Sequence, residues 1–355
     1  MPLKENAVFT HRAARIIGSG LLACLATVVL AAGASPDSAM QVVQRWKIGG
    51  AGGWDYLTVD SKHRLFVSRG TEVDVLDTQS GKLLGTIPDT QGVHGIALAP
   101  DLHRGFTSNG RADSVTVFDL DTLKTIREVK VPGHNPDAIL YESKGKHVFT
   151  FDGRSKDVTV LDASTLAIVA TIPVPDKPEF AQDDQAGHIF ANIESDPGQI
   201  VKIDSRKLTV EATWPLPGCN SPSGLAIDRV HHRLFSVCDG NVMAVTNAET
   251  GAQVAQVPIG KGPDAAAYDE KRHLVFSSNG EGTLTVIRQE SADRYRVVDT
   301  VKTQAGARTM ALDPNGRVYL VTAEFGAAPA ASADQPRPRP VPVPDSFTVL
   351  VVGTH

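Results

Sequence analysis

The sequence predicts an all-β fold, a seven-bladed β-propeller whose last blade is closed by the N-terminal strand. Three observations carry this. One four-strand unit recurs seven times, its period is about 42 residues, and the two ends of the chain hold complementary parts of the seventh copy. Short alternating strands at that period form propeller blades, whereas leucine-rich, ankyrin and helical-pair repeats are shorter or follow a 3.6-residue pattern.

The clearest unit runs from Trp54 to Ile87 as WDYLTVD, SKHR, LFVS, RGTE, VDVLD, TQSG and KLLGTI, four strands separated by turn-forming residues. The last residue of its first strand, Asp60, is matched by Ala99, Glu142, Asp184, Asp228, Asp269 and Asp313, at spacings of 39, 43, 42, 44, 41 and 44. The seventh unit reads RTMALD, RVYLVTAEF and SFTVLVVG, then stops at His355 without a fourth strand. VVQRWKI, residues 42–48, resembles the fourth strands KLLGTIP, KTIREVKV and LAIVATIPV but has no first three strands before it. It is expected to complete blade seven and remove a free sheet edge. The expected organisation is a short linker at 35–41 and one propeller at 42–355.

One segment breaks the pattern. The Pro-rich insertion 327–344, AAPAASADQPRPRPVPVP, falls between the second and third strands of blade seven. It is expected not to pair as a strand. It reads either as a solvated polyproline excursion or as a flap or docking arm over one face.

Residues 1–34 read as a secretory signal. Lys4, Arg12 and Arg15 precede an apolar stretch from Ile16 to Leu30, and Ala32-Gly33-Ala34 offers a cleavage site. A membrane anchor is the alternative, but Gly18, Ser19 and Gly20 interrupt the stretch, which falls short of the roughly 20 apolar residues of a span. Lipidation at Cys24 ranks below cleavage. No Arg-Arg pair precedes the stretch, so the general secretion route is expected. The mature chain would be periplasmic or secreted, with no integral span. The signal carries three basic residues and one acidic one, so its removal moves the formal charge from −5 to −7. That balance argues against a nucleic-acid partner. The two remaining cysteines, Cys219 and Cys238, are expected to form a disulfide in an oxidising compartment.

Some recurring polar residues have a structural explanation. Asp77, Asp119, Asp162, Asp204 and Asn247 each end a third strand, where an Asx side chain bonds the following turn. The histidines at 63, 103, 147, 188, 231, 232 and 273 fall in the turn after the first strand and form no zinc pattern.

A third set is more informative. Five places before each reference position stand Asp55, His94, Asp137, Glu179, Ser223, Asp264 and Arg308. First strands line a propeller's central channel, so these seven are expected to ring one channel mouth. One reading is a solvated rim of capped carboxylates paired with Arg308. The other is a ligand site for a divalent cation such as Ca²⁺, held at Glu179, Asp264 and His94, with His94 also suiting a transition metal. Loops on the same face add Trp54, Arg69, Arg111, His134, Asn135 and Arg154. The chain has no G-x-S-x-G, C-x-x-C, P-loop or G-x-G-x-x-G motif, and no catalytic residue is assigned.

The units VDVLDTQSGKLLGTIP and VTVLDASTLAIVATIPV, the run SPSGLAIDRVHHRLFSVC, and SSNGEGTLTVI with ARTMALDP resemble the YVTN-type, YncE-like β-propeller repeat family over about residues 40–355. Blade six departs from it, with VIRQESADRY in place of the Asp turn. The resemblance implies the propeller fold and an exported binding protein, and transfers no catalytic residue. Similar blades occur in quinone-linked dehydrogenase subunits. The expected function is therefore a binding scaffold for a protein, a glycan or a small polar ligand. One alternative is a metal-assisted hydrolase or lactonase at the channel mouth. The other is an accessory subunit of a periplasmic redox system, although no haem-attaching C-x-x-C-H is present.

Overall fold

The computed structural model describes residues 39–50, 53–328 and 340–354. The signal segment, Cys24, most of the 35–41 linker and residues 329–339 of the Pro-rich insertion lie outside the described residues. Seven four-stranded antiparallel sheets form the seven blades. The helical element among the described residues is one 3₁₀ turn, Pro100–Leu102, and no helix there is long and apolar enough to cross a membrane.

Each blade runs outward from an inner first strand, as in blade three: Pro136–Glu142, His147–Asp152, Asp157–Asp162 and Ile168–Pro173. The second and third strands are buried almost throughout, because both of their faces meet a neighbouring blade. Such strands read as near-continuous apolar runs. The outer strand alternates exposed and covered residues. The core accordingly lies between blades. Phe149, Phe151 and Val160 of blade three pack with Ile189, Val201 and Ile203 of blade four, all buried.

Blade seven is closed as the sequence implies. Gln41–Lys47 pairs antiparallel with Thr348–Gly353, which continues to Val318–Thr322 and Met310–Leu312. The ladder begins one residue earlier than expected and ends at Lys47, where the backbone amides of Ile48 and Gly49 both turn to Phe347 O, at 3.0 Å.

Turn chemistry repeats around the ring. The Asx residues closing the third strands accept backbone amides two and three residues on: Asp77 from Gln79 and Ser80, Asp162 from Ser164 and Thr165, Asn247 from Glu249 and Thr250. Cys219 and Cys238 are disulfide-bonded with Cα atoms 5.3 Å apart, tying the start of blade five's first strand to its second.

The Pro-rich insertion, expected not to pair as a strand, makes an isolated bridge at its described end. Gly326 N donates to Val341 O (2.9 Å) and Val343 N to Glu324 O (2.8 Å), with a bridge between Phe325 and Pro342. Proline lacks only the amide, and the flanking valines supply the ladder groups that Pro342 does not.

Two tryptophans clasp neighbouring blades. Trp46 of blade seven covers Gly81 in blade one, and Trp214 of blade four covers Gly251 in blade five. A Cβ at either glycine would lie 2.3 Å from the indole, and their φ values are +69° and +73°. Gly251→Ala therefore adds backbone strain to a steric clash, and we expect a loss of about 2–3 kcal/mol in denaturant unfolding. A change within about 0.5 kcal/mol, typical of a surface site, would show that the indole is not held there.

Candidate functional site

The channel mouth is built by a recurring irregularity. In blades two to six the inner-strand pairing skips at the ring position: between Val93 and Ile96, Pro136 and Ile139, Pro178 and Ala181, Pro222 and Leu225, and Pro263 and Ala265. These bulges release His94, Asp137, Glu179, Ser223 and Asp264 from the ladder, and a bulge re-aims its side chain. Proline precedes four of the five, at the start of the strand for Pro136, Pro178 and Pro263 and beside the bulge for Pro222, places where no ladder amide is needed. Second-strand side chains hold the bulges in place. Ser108 Oγ donates to Asp137 O while accepting Gly95 N, Ser278 Oγ donates to Arg308 O, and Asn192 Nδ2 donates to Ser223 O at 2.9 Å.

Six of the seven ring residues, Asp55, Asp137, Glu179, Ser223, Asp264 and Arg308, line one cavity of about 490 Å³. The seventh, His94, joins through Asp55, with Nδ1 2.6 Å from Asp55 Oδ2 and 3.7 Å from Asp137 Oδ1. Of the same-face loop residues, Trp54 and Arg69 belong to the blade seven–blade one seam. Trp54 packs on Phe347 and Phe325 at 5.3 and 6.1 Å, and the Arg69 guanidinium lies 3.6 Å over the Phe347 ring and donates to Gly49 O. Neither lines the cavity. His134, Asn135 and Arg154 gather instead around Asp113, which accepts Asn135 N at 2.7 Å and pairs with His134 Nδ1 at 2.9 Å. Arg111 covers Gly92 close by.

Sequence reasoning missed several lining residues. Lys177 stands one place before Pro178, and its Nζ bridges Glu179 and Glu194 Oε2, the latter at 2.5 Å. Glu194 and Asp239 occupy the end of the second strand, a repeat position that is glycine at 110, 153 and 280. Aligning the repeats at that position would have exposed them. Tyr56 and Phe180 follow the ring residues directly and stack across the channel at 5.1 Å, tilted by 25°.

The result is an acidic funnel. Asp55, Asp137, Glu179, Glu194, Asp239 and Asp264 face two permanent cations, Lys177 and Arg308, the latter 3.2 Å from Asp264. Burial outweighs Arg308 and pushes Asp264 up to about 7. Burial and the charge of Asp137 push Glu179 up to about 8 despite Lys177. Burial also raises Asp137, against the pull of His94. Burial opposes charge on His94, but its hydrogen bond to Asp55 and the nearby carboxylates win and raise it. Metal-ligating atoms come together at Asp55, His94 and Asp137, within 4.8 Å of one another. This is not the set Glu179, Asp264 and His94 expected from sequence, because Lys177 and Arg308 engage those two carboxylates.

No family model matches the chain, and no curated protein matches it in sequence. Its fold is similar to that of a chain of Kuenenia stuttgartiensis hydrazine synthase (18% identity, 82% of this chain and 96% of that one, TM-score 0.66). It is also similar to a chain in a mitotic checkpoint complex (13% identity, 96% and 99%, TM-score 0.73) and to the WD40 repeats of RRP9 (10% identity, 88% and 97%, TM-score 0.70).

Proposed function

We propose that this propeller is an exported binding protein, of the YVTN-repeat kind, whose working surface is the channel mouth and whose ligand or partner presents positive charge there. The observation that carries the proposal is the imbalance in the cavity, six carboxylates against Lys177 and Arg308. Perturbed carboxylates concentrated in one cleft are a mark of functional sites, and concave polar rings focus field on oppositely charged ligands. Propellers of similar shape include WD40 repeats and a chain of a named complex, which supports a binding role. The test is calorimetry with penta-lysine and penta-glutamate at low ionic strength and at pH 8.5, above the values to which burial pushes Glu179 and Asp264. Penta-lysine should bind and penta-glutamate should not, and Glu179→Gln with Asp264→Asn should weaken penta-lysine at least about tenfold. Equal binding of both peptides, or an unaffected double variant, would overturn the proposal.

A metal-assisted hydrolase is favoured by one observation, the Asp55, His94 and Asp137 group. Elemental analysis separates the two readings. Stoichiometric metal that disappears in His94→Ala would support the hydrolase.

A further inference from the structure

We propose that the mouth binds a small organic cation, an ammonium or N-methylated ammonium group seated on the Tyr56–Phe180 pair inside the carboxylate ring. This deepens the anionic-mouth reading and rests on it.

The repeat itself isolates the pair. The position after each ring residue is Gly95, Ala138, Gly224, Ala265 and Thr309 in five blades, and an aromatic only in blades one and four. The small residues allow close approach of neighbouring inner strands: a Cβ on Gly224 would lie 2.6 Å from Ala265 Cα, and one on Gly95 would lie 2.8 Å from Ile139. Packing alone would therefore favour small residues all round. Tyr56 and Phe180 instead reach into the channel, stack on each other and line the same cavity as the carboxylates. Tyr56 is half-buried, and its hydroxyl hydrogen-bonds no side chain or backbone group among the described residues. Asp137, Glu179, Asp55 and Asp264 all act on it electrostatically.

Aromatic faces carry negative charge density and attract cations, most strongly where water is scarce. Carboxylates around such a face supply the countercharge. The carboxylates already hold cations of the protein's own: the Lys177 ammonium lies between Glu179 and Glu194, and the Arg308 guanidinium lies against Asp264. Among the described residues, the ion-pair partner of Asp55 and Asp137 is His94. A Ca²⁺ ion takes about six to eight oxygen ligands and gains nothing from an aromatic floor. An organic cation uses both surfaces, and the cavity of about 490 Å³ is the size of small-molecule sites, roughly 300–1,000 Å³.

The test titrates the protein with choline, with its uncharged isostere 3,3-dimethylbutanol, and with Ca²⁺. Choline should bind, and the isostere should bind at least about tenfold more weakly. Phe180→Leu and Tyr56→Leu should each weaken choline about tenfold while leaving penta-lysine binding in place, and Tyr56→Phe should retain it. Asp137→Asn, which spares the stacked rings, should also weaken choline and covers the case in which a leucine variant does not fold. Equal binding of choline and its isostere, insensitivity to all three weakening substitutions, or Ca²⁺ binding without choline would overturn the inference. Binding of penta-lysine without choline would overturn it and leave the anionic mouth standing. Failure of both ligands would overturn both readings.

Discussion

Deletion of Gln41–Lys47 is expected to abolish the cooperative melt of the whole ring. The segment pairs with Thr348–Gly353 over six residue positions, and its loss leaves that strand as an open edge. It also removes Trp46, whose ring lies 5.8 Å from that of buried Tyr319 and clasps Gly81 of blade one. Two blades are uncoupled at once, and a closed ring has no second route for holding its ends. Domain stability is only about 5–15 kcal/mol, and losing a strand with its seam consumes a large part of that. Circular dichroism melting and size-exclusion chromatography should show an expanded or aggregating protein. Alanine at exposed Arg45 and Lys47 of the same strand should be nearly silent. A synthetic peptide spanning residues 39–50 should restore folding in trans by strand addition. A truncated protein that melts cooperatively within a few degrees of the full chain would show that blade seven does not need its fourth strand.

That closure was legible because a repeat makes each copy a template for the others. RTMALD, RVYLVTAEF and SFTVLVVG lacked a fourth strand, and VVQRWKI lacked the first three. The ring of seven mouth positions was legible for the same reason, since a fixed offset from Asp60 and its counterparts is a fixed depth in the channel. The pairing of charges within it was not. Lys177 engages Glu179 and Glu194 from a loop position, two before the ring residue, that holds glycine, asparagine or serine in the other blades, and Trp54 and Arg69 are drawn away by Phe347, a contact between blades seven and one. Periodicity reports which residues share a height. It does not report which of them turn toward each other.

The protein should lose stability as pH rises from about 5 to 8.5, and Glu179→Gln with Asp264→Asn should remove part of that loss. The sign follows from the direction of the shifts. A carboxyl group whose folded-state pKa is raised holds its proton in the folded protein after the unfolded chain has released it, so the folded state binds more protons and stability falls with pH. The window runs from the ordinary carboxylate value near 4 up to about 7 for Asp264 and about 8 for Glu179. Their side chains are only 24% and 14% exposed, so solvent screens little of the effect. A shift of about three pH units corresponds to ~4 kcal/mol for a single group. Because both groups feel the charge of Asp137, the double variant should regain roughly 3 kcal/mol at pH 8.5, several degrees of Tm, and almost nothing at pH 5. Asp152, buried at the end of blade three's second strand and pushed up to about 8 mainly by burial, adds to the slope in both proteins, so the difference between them is the quantity to measure. A variant no more stable than the parent at pH 8.5 would mean that the ring is a solvated rim. A variant more stable there yet unable to bind a cation would mean that the ring's charge is kept, at a cost to the fold, for its ligand.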